Sequence, residues 1–152
     1  MSARFRARRQ LVNRIVAKFA AWAEQQPDVQ AAIVVGSYAY GRPRMGSDVD
    51  LVVLTDETQA HLRSLDFIAA ACPDGRLVRS EQWVPMNERR VRLPSGLYVE
   101  FGITASTWAS LPLDEGTARV LSDGCKVLVD RGLIAPALAS IGRATPSWNA
   151  TV

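Results

Sequence analysis

A chain of 152 residues is long enough for one domain of ordinary size with its own core. Hydrophobic residues make up 48 % and charged residues 22 %, and no apolar run approaches the roughly 20 residues of a membrane span. That composition excludes a disordered or membrane-spanning chain, and a net charge of only +3 argues against nucleic-acid binding as the main activity.

The charge is unevenly spread. Arg4, Arg6, Arg8, Arg9, Arg14 and Lys18 all precede the first acid, Glu24. Such a start suits nucleic acid, a membrane surface or a transit peptide. The simpler reading is a frayed N-terminus, residues 1–7, leading into the solvated face of an amphipathic helix. Leu11, Ile15, Val16, Phe19 and Trp22 recur at helical spacing and predict that helix from about Arg8 to Gln25, stopped before Pro27. Ala31 to Val35 reads as a small buried strand. A Gly- and Arg-bearing connection, Gly36 to Ser47, separates it from a second strand, Asp48 to Leu54. Thr55 or Asp56 then caps a second helix whose inner face is Leu62, Leu65, Phe67, Ile68 and Ala69.

Pro73-Asp74-Gly75 is a turn. Three strand-like runs follow, Leu77 to Val84, Arg89 to Leu93 and Leu97 to Ile103, and Pro94-Ser95-Gly96 makes the last two a hairpin. Asp114 caps a helix through about Ser122 that ends at Gly124. Cys125 to Val129 is a further strand and Leu133 to Ile141 a final helix; the tail, residues 142–152, is expected to be poorly ordered. The whole reads as one α/β domain with a mixed sheet, residues 1–152. Cys72 and Cys125 form no metal-ligand pattern and suit buried free thiols in a reducing, cytoplasmic setting. His61 and Lys126 read as solvated residues, and Trp83 and Trp108 as core or rim packing.

The chemistry gathers between the first two strands. Asp48 and Asp50 are two residues apart, which on a strand puts both carboxylates on one face, about 6.5–7 Å apart. Carboxylates held so repel unless cations lie between them, and hard oxygen ligands favour Mg²⁺ or Mn²⁺. Two such ions suit phosphoryl chemistry. The plainer alternative is a pair of turn-capping aspartates. Gly36-Ser37 follows a buried strand and opens a helical turn, where backbone N–H groups favour an anion; an ordinary turn with a Ser cap has the same sequence. Arg42 and Arg44 stand where they would neutralise a triphosphate, or are solvated loop arginines. Glu100 lies inside the apolar run Leu97 to Ile103, a costly place for a carboxylate unless it is paired or ligating. It is either a salt-bridged edge residue or a third ligand able to take a proton from an attacking hydroxyl.

Gly36-Ser37, then Gly46-Ser47-Asp48-Val49-Asp50-Leu51 at the head of an apolar strand, then an isolated acid at Glu100, resembles the DNA polymerase β-type nucleotidyltransferase superfamily. The likeness is to its small bacterial members, the minimal nucleotidyltransferases and the catalytic domain of aminoglycoside nucleotidyltransferases. It is sharp over Val34 to Leu54 and looser as far as Ile103. The resemblance implies a mixed sheet with helices packed mainly on one face. It also implies that Gly36 and Ser37, with Arg42, Arg44 and Ser47 nearby, hold the phosphates of a nucleoside triphosphate, usually ATP. Asp48 and Asp50 would carry two Mg²⁺ ions, with Mn²⁺ as a substitute, and Glu100 would be the third acid. A nucleoside monophosphate would pass to an acceptor hydroxyl of a small molecule or a protein, and pyrophosphate would leave. Larger members have a helical second domain for which this chain leaves no room. The cleft is therefore expected to be completed by a homodimer, by a helical partner protein, or by the strands after Leu77. An antitoxin-like protein acting on a helical partner is the alternative role.

Overall fold

The computed structural model describes residues 2–150. Six strands form one mixed sheet in the order β3-β4-β5-β2-β1-β6. They are β1 (Val29–Val35), β2 (Val49–Thr55), β3 (Arg76–Trp83), β4 (Met86–Arg92), β5 (Tyr98–Thr104) and β6 (Lys126–Asp130). The β2–β5 pair is parallel; the other four pairs are antiparallel.

The period-two pattern of the central strands explains the layers. Val49, Leu51 and Val53 of β2, with Val99, Phe101 and Ile103 of β5, face one core. Helix α1 (Ala3–Gln25) lies there, presenting Val12, Ile15, Val16 and Phe19, along with α3 (Thr58–Ser64) and α4 (Asp66–Ala71). Phe19 and Phe67 pack on Phe101 with centroids 5.8 and 5.1 Å away. Burying each of these rings is worth roughly 1.5–3 kcal/mol.

On the opposite face, Val52 and Leu54 of β2 and Ala31 and Ile33 of β1 meet a smaller cluster with Trp108, Leu121, Ile134 and Leu138. It is supplied by α5 (Glu115–Asp123), α6 (Ile134–Ser140) and a 3₁₀ turn, Ser106–Ala109, which the sequence reading lacked. Most of the helical mass is thus on one face. The second face is covered only over part of β1 and β2, and the remainder, toward β5 and β4, stays open.

Three expectations are revised. Helix α1 begins at Ala3, capped by Ser2, because its arginines are tied down: Arg8 donates to the carbonyls of Met45 and Ser95, and Arg9 stacks over Tyr38 and Trp148. The second helix is two short helices, α3 and α4, separated by Leu65 with φ 52° in the left-handed region. His61, expected at the surface, is 6 % exposed and bonded to Asp28 and Asp66, which lie on either side of it.

Of the tail expected to be poorly ordered, Val127 donates to Pro146, Ser147 bridges to Val127 and Trp148 packs on the larger core. Residues 1, 151 and 152, to which that expectation of disorder also extended, lie outside the described residues. Among the described residues, no helix is long and apolar enough to cross a membrane.

Candidate active site

The open part of the second face begins where β1 ends. Val35 is paired with Asp50, and the chain turns at Gly36 into the single helical turn α2 (Ser37–Tyr40). Gly36 has φ 74°, a conformation that favours glycine. A Cβ there would also run into Oδ2 of Asp50. Backbone and side-chain space therefore both demand glycine at this point. Gly41, with φ 77°, closes α2 and its amide returns to Ser37. The loop then tightens on itself: Ser47 Oγ accepts from the Arg44 amide at 2.8 Å, and the Ser47 amide donates back to the Arg44 carbonyl.

Asp48 ends this loop, and β2 then carries Asp50 and Val52 on the open face, since alternate residues share a face. Parallel pairing sets Asp50 directly beside Glu100 of β5 and Val52 beside Gly102. Antiparallel pairing sets Arg90 of β4 on the other side of Glu100, and Arg79 of β3 beyond it. Four strands thus lay a row of charges, Asp50, Glu100, Arg90 and Arg79, across the sheet.

Arg90 Nη1 donates to Asp48 Oδ2 at 2.9 Å and to Glu100 Oε1 at 2.8 Å. Arg79 Nη2 reaches the same Glu100 oxygen at 3.0 Å, and its Nε bonds to Glu81. Among the described residues, no arginine pairs with Asp50. Burial, then the charges of Glu100 and Asp48 and a hydrogen bond with Glu100, push its carboxyl up to about 7. Such a pile-up of acids is what a cation would relieve. Glu88, on the same face of β4, is also pushed up, by burial and by Glu100. For Arg90, burial opposes the charged form, but the bonds to Glu100 and Asp48 outweigh it and hold the guanidinium charged.

Asp50, Glu88 and Glu100 edge a cavity of ≈ 450 Å³, in the usual size range of small-molecule sites. Gly36, Asp50, Glu100 and Gly102 form one side. Trp83, Met86 and Glu88 from the β3–β4 hairpin form another, and Trp108, Asp114 and Asp123 a third. Among its described lining residues there are five carboxylates and no lysine or arginine.

Of the residues singled out in the sequence, Gly36, Asp50 and Glu100 meet at this cavity, and Asp48 joins them through Arg90. Ser37 adjoins Gly36 as the first residue of α2. Arg42 and Arg44 are exposed on the loop outside the lining, and Ser47 shapes the loop. Glu100 is ion-paired, as one reading had it, but on an inner strand rather than an edge. Arg90 and Arg79 were missed. The hairpin at Pro94-Ser95-Gly96 held the signal: counting outward from Leu93 and Leu97 puts Arg90 opposite Glu100.

Residues 17–75, which carry the Gly36 turn and both aspartates, match the family described as Polymerase beta, Nucleotidyltransferase. The likeness to that nucleotidyltransferase family is carried by this segment. No curated protein matches the chain. Among solved structures, it is similar to the Cid1 poly(U) polymerase with Mg 3′-dATP bound, at 18 % identity and a TM-score of 0.47, over 68 % of this chain and 32 % of that one. It is also similar to terminal uridylyl transferase 4 from Trypanosoma brucei with bound UPU, at 17 % identity and a TM-score of 0.45, over 76 % of this chain and 42 % of that one. A structure of the same transferase with bound GTP gives 21 % identity and a TM-score of 0.38, over 60 % of this chain and 28 % of that one. The chain spans less than half the length of each.

The oxygen-only donor set of Asp48, Asp50 and Glu100, and the close cradle that Gly36 leaves beside Asp50, fit a hard divalent cation. No three metal-ligating side chains among the described residues already converge on one point. The Arg90 nitrogen lies between Asp48 and Glu100.

Proposed function

We propose that this chain is a Mg²⁺-dependent nucleotidyltransferase, acting as a single domain over residues 1–152. It would transfer AMP from ATP to a hydroxyl of an acceptor and release pyrophosphate. The observation that carries this reading is the placement of Asp50 beside Glu100, with Asp48 on the same face, at the mouth of the Gly36 turn.

In this reading Gly36 and Ser37 present backbone N–H groups and a hydroxyl to the β- and γ-phosphates, with Arg42, Arg44 and Ser47 on the loop around them. Asp48, Asp50 and Glu100 would hold Mg²⁺, with Mn²⁺ as a substitute. The ions would neutralise the triphosphate and stabilise the leaving oxygen when bound. Glu100 accepts the proton of the acceptor O–H as that oxygen bonds to the α-phosphorus. The bond from the α-phosphorus to the bridging oxygen breaks, and pyrophosphate carries away the electron pair. Gly36 and Asp50 fix the register of the phosphates against the carboxylates.

The acid-rich lining, with Asp114, Asp123 and Glu88 beyond the ligand set, favours a small acceptor with positive charge, such as an amino sugar, over a protein side chain. Trp83 and Trp108 offer it apolar surface. The β3–β4 hairpin supplies one wall of that cavity. A cytoplasmic setting suits the free, buried Cys72 and Cys125.

The test is transfer of label from α-labelled but not γ-labelled ATP to a panel of amino-sugar and protein acceptors, with Mg²⁺ or Mn²⁺. Asp48→Asn and Asp50→Asn should each lower the rate by about 10³-fold or more, as loss of metal-centred charge stabilisation does. Full activity in both variants would sink the reading.

A further inference from the structure

We propose that Arg90 is a resident counter-cation that competes with the divalent ion for Asp48 and Glu100, and so sets the metal affinity of the site. The inference rests on the reading of those carboxylates as metal ligands. It concerns a residue that this reading does not use.

One nitrogen of Arg90, Nη1, lies 2.9 Å from Asp48 Oδ2 and 2.8 Å from Glu100 Oε1. An ion shared by those two oxygens would stand about 2.0–2.1 Å from each, as Mg²⁺ requires. It would occupy the volume that Nη1 fills, so Arg90 and a shared ion exclude one another.

Charge gives the same answer. The carboxylates facing Arg90 are Asp48 and Glu100 in contact, with Asp50 beside Glu100 on β2 and Glu88 two residues away on β4. Arg79 from β3 is the other facing cation, and it already serves Glu81 and Glu100. A single positive charge at Arg90 holds the acids together, and a doubly charged ion at the same point holds them better.

Arg90 also has somewhere to go. Its guanidinium carbon stands 4.2 Å from the centroid of the Tyr98 ring, a cation–π contact that does not depend on the carboxylates. The side chain is long, and it is 22 % exposed. Arginine suits this post because it stays charged at any working pH and its planar group slides on an aromatic face.

Mn²⁺ binding to the full chain, followed by calorimetry and by the loss of the free-ion electron-spin signal, tests the idea in wild type, Arg90→Met, Arg90→Lys and Asp50→Asn. Competition predicts that Arg90→Met binds Mn²⁺ about tenfold tighter, the size of one charge-assisted hydrogen bond given up. Arg90→Lys, which keeps a cation, should stay close to wild type, and Asp50→Asn should lose binding. Arg90→Met binding at wild-type affinity or weaker overturns the proposal while leaving the metal site standing. If neither wild type nor Arg90→Met binds Mn²⁺, the metal reading falls and this inference with it.

Wild type supplies a check free of any folding defect. The Arg90 Nε–H resonance, assigned by its absence from Arg90→Lys, should move in step with Mg²⁺ saturation. A resonance that stays still while the site fills overturns the competition.

Discussion

Gly36 and Asp50 are packed so closely that the smallest side chain on Gly36 would strike the Asp50 carboxylate. The contact joins the turn at the end of β1 to the acid in β2, and the pairing of Val35 with Asp50 enforces it. Gly36→Ala meets two penalties, the strained positive φ and the collision with Oδ2. The expected cost is about 1–3 kcal/mol of stability in urea unfolding. The Asp50 carboxylate must shift to make room, and a displacement of about 1 Å costs transfer on the order of 10²-fold. A Gly36→Ala protein with wild-type turnover would show that the turn and the acid are not coupled.

Trp83 should behave differently, because it is 61 % exposed and yet lines the cleft. Little folding energy rests on it, so Trp83→Ala should change stability by no more than about 0.5 kcal/mol. A ring that stacks on substrate contributes about 0.5–1.5 kcal/mol. The apparent KM for nucleotide or acceptor should therefore rise about two- to tenfold with kcat little altered. A fall in the melting temperature with KM unchanged would instead assign Trp83 to packing of the hairpin.

His61 ties α3 to the chain on either side of it. Its Nε2 lies 2.7 Å from Asp28 Oδ2 and its Nδ1 2.9 Å from Asp66 Oδ1, while Trp22 Nε1 donates to Asp66. Burial works against the charged imidazole, but its hydrogen bonds to the Asp66 and Asp28 carboxylates prevail and its pKa is raised. Burial likewise opposes the charged carboxylates, and hydrogen bonds with Thr55 and His61 (Asp28) or with His61 and Ser64 (Asp66) lower their pKa values on balance.

The signs define a window. A raised histidine gives its full stabilisation below its unfolded pKa of about 6.5 and loses it as pH rises through the folded value. Lowered aspartates give theirs above about 3.9 and lose it as pH falls through the folded values. The cluster is therefore strongest between about pH 4 and 6.5. His61→Gln should cost about 2 kcal/mol near pH 5.5, discounted from the fully buried case because both aspartates are partly exposed. The cost should shrink toward pH 8.5. Urea titrations of the two proteins across this range give the measurement, and a cost that does not vary with pH would assign the cluster's value to shape.

How much of this was legible depended on the distance between partners. Helix α5 was readable because its signals are local: Asp114 accepts from the Thr117 amide at 2.8 Å, and Gly124 ends the helix with φ 141°. Asp48 and Asp50 were readable because a strand's period of two is local as well. His61 was misread because one of its two partners, Asp28, lies 33 residues earlier, in the turn before β1. Nothing on helix α3 alone reveals that contact. Arg90 was an intermediate case. Its partner Glu100 is only ten residues away, across a hairpin whose turn had been recognised, yet the register had to be counted to bring them together. The start of α1 was missed because anchors such as Met45 and Ser95 are brought to it by the fold.

Asp130 and Arg131, adjacent at the end of β6, give the last expectation. Asp130 accepts from four successive amides, Gly132 through Ala135, and so caps the start of α6. Arg131 turns the other way and donates to the carbonyls of Glu24, Gln26 and Pro27, and to Val29. One residue thus pins α6 to the sheet, and the next pins the end of α1 to the start of β1. Neither lines the cleft. Asp130→Ala should cost about 1–2 kcal/mol, the upper range for loss of a cap. Arg131→Ala should cost about 1–2 kcal/mol, as the part-buried Val29 carbonyl and three exposed ones lose a charged donor. Both variants should keep the wild-type KM at a temperature where they are folded. A changed KM with unchanged stability would connect the β6 end to the cleft through Lys126 and Asp123, which the present geometry gives no reason to expect.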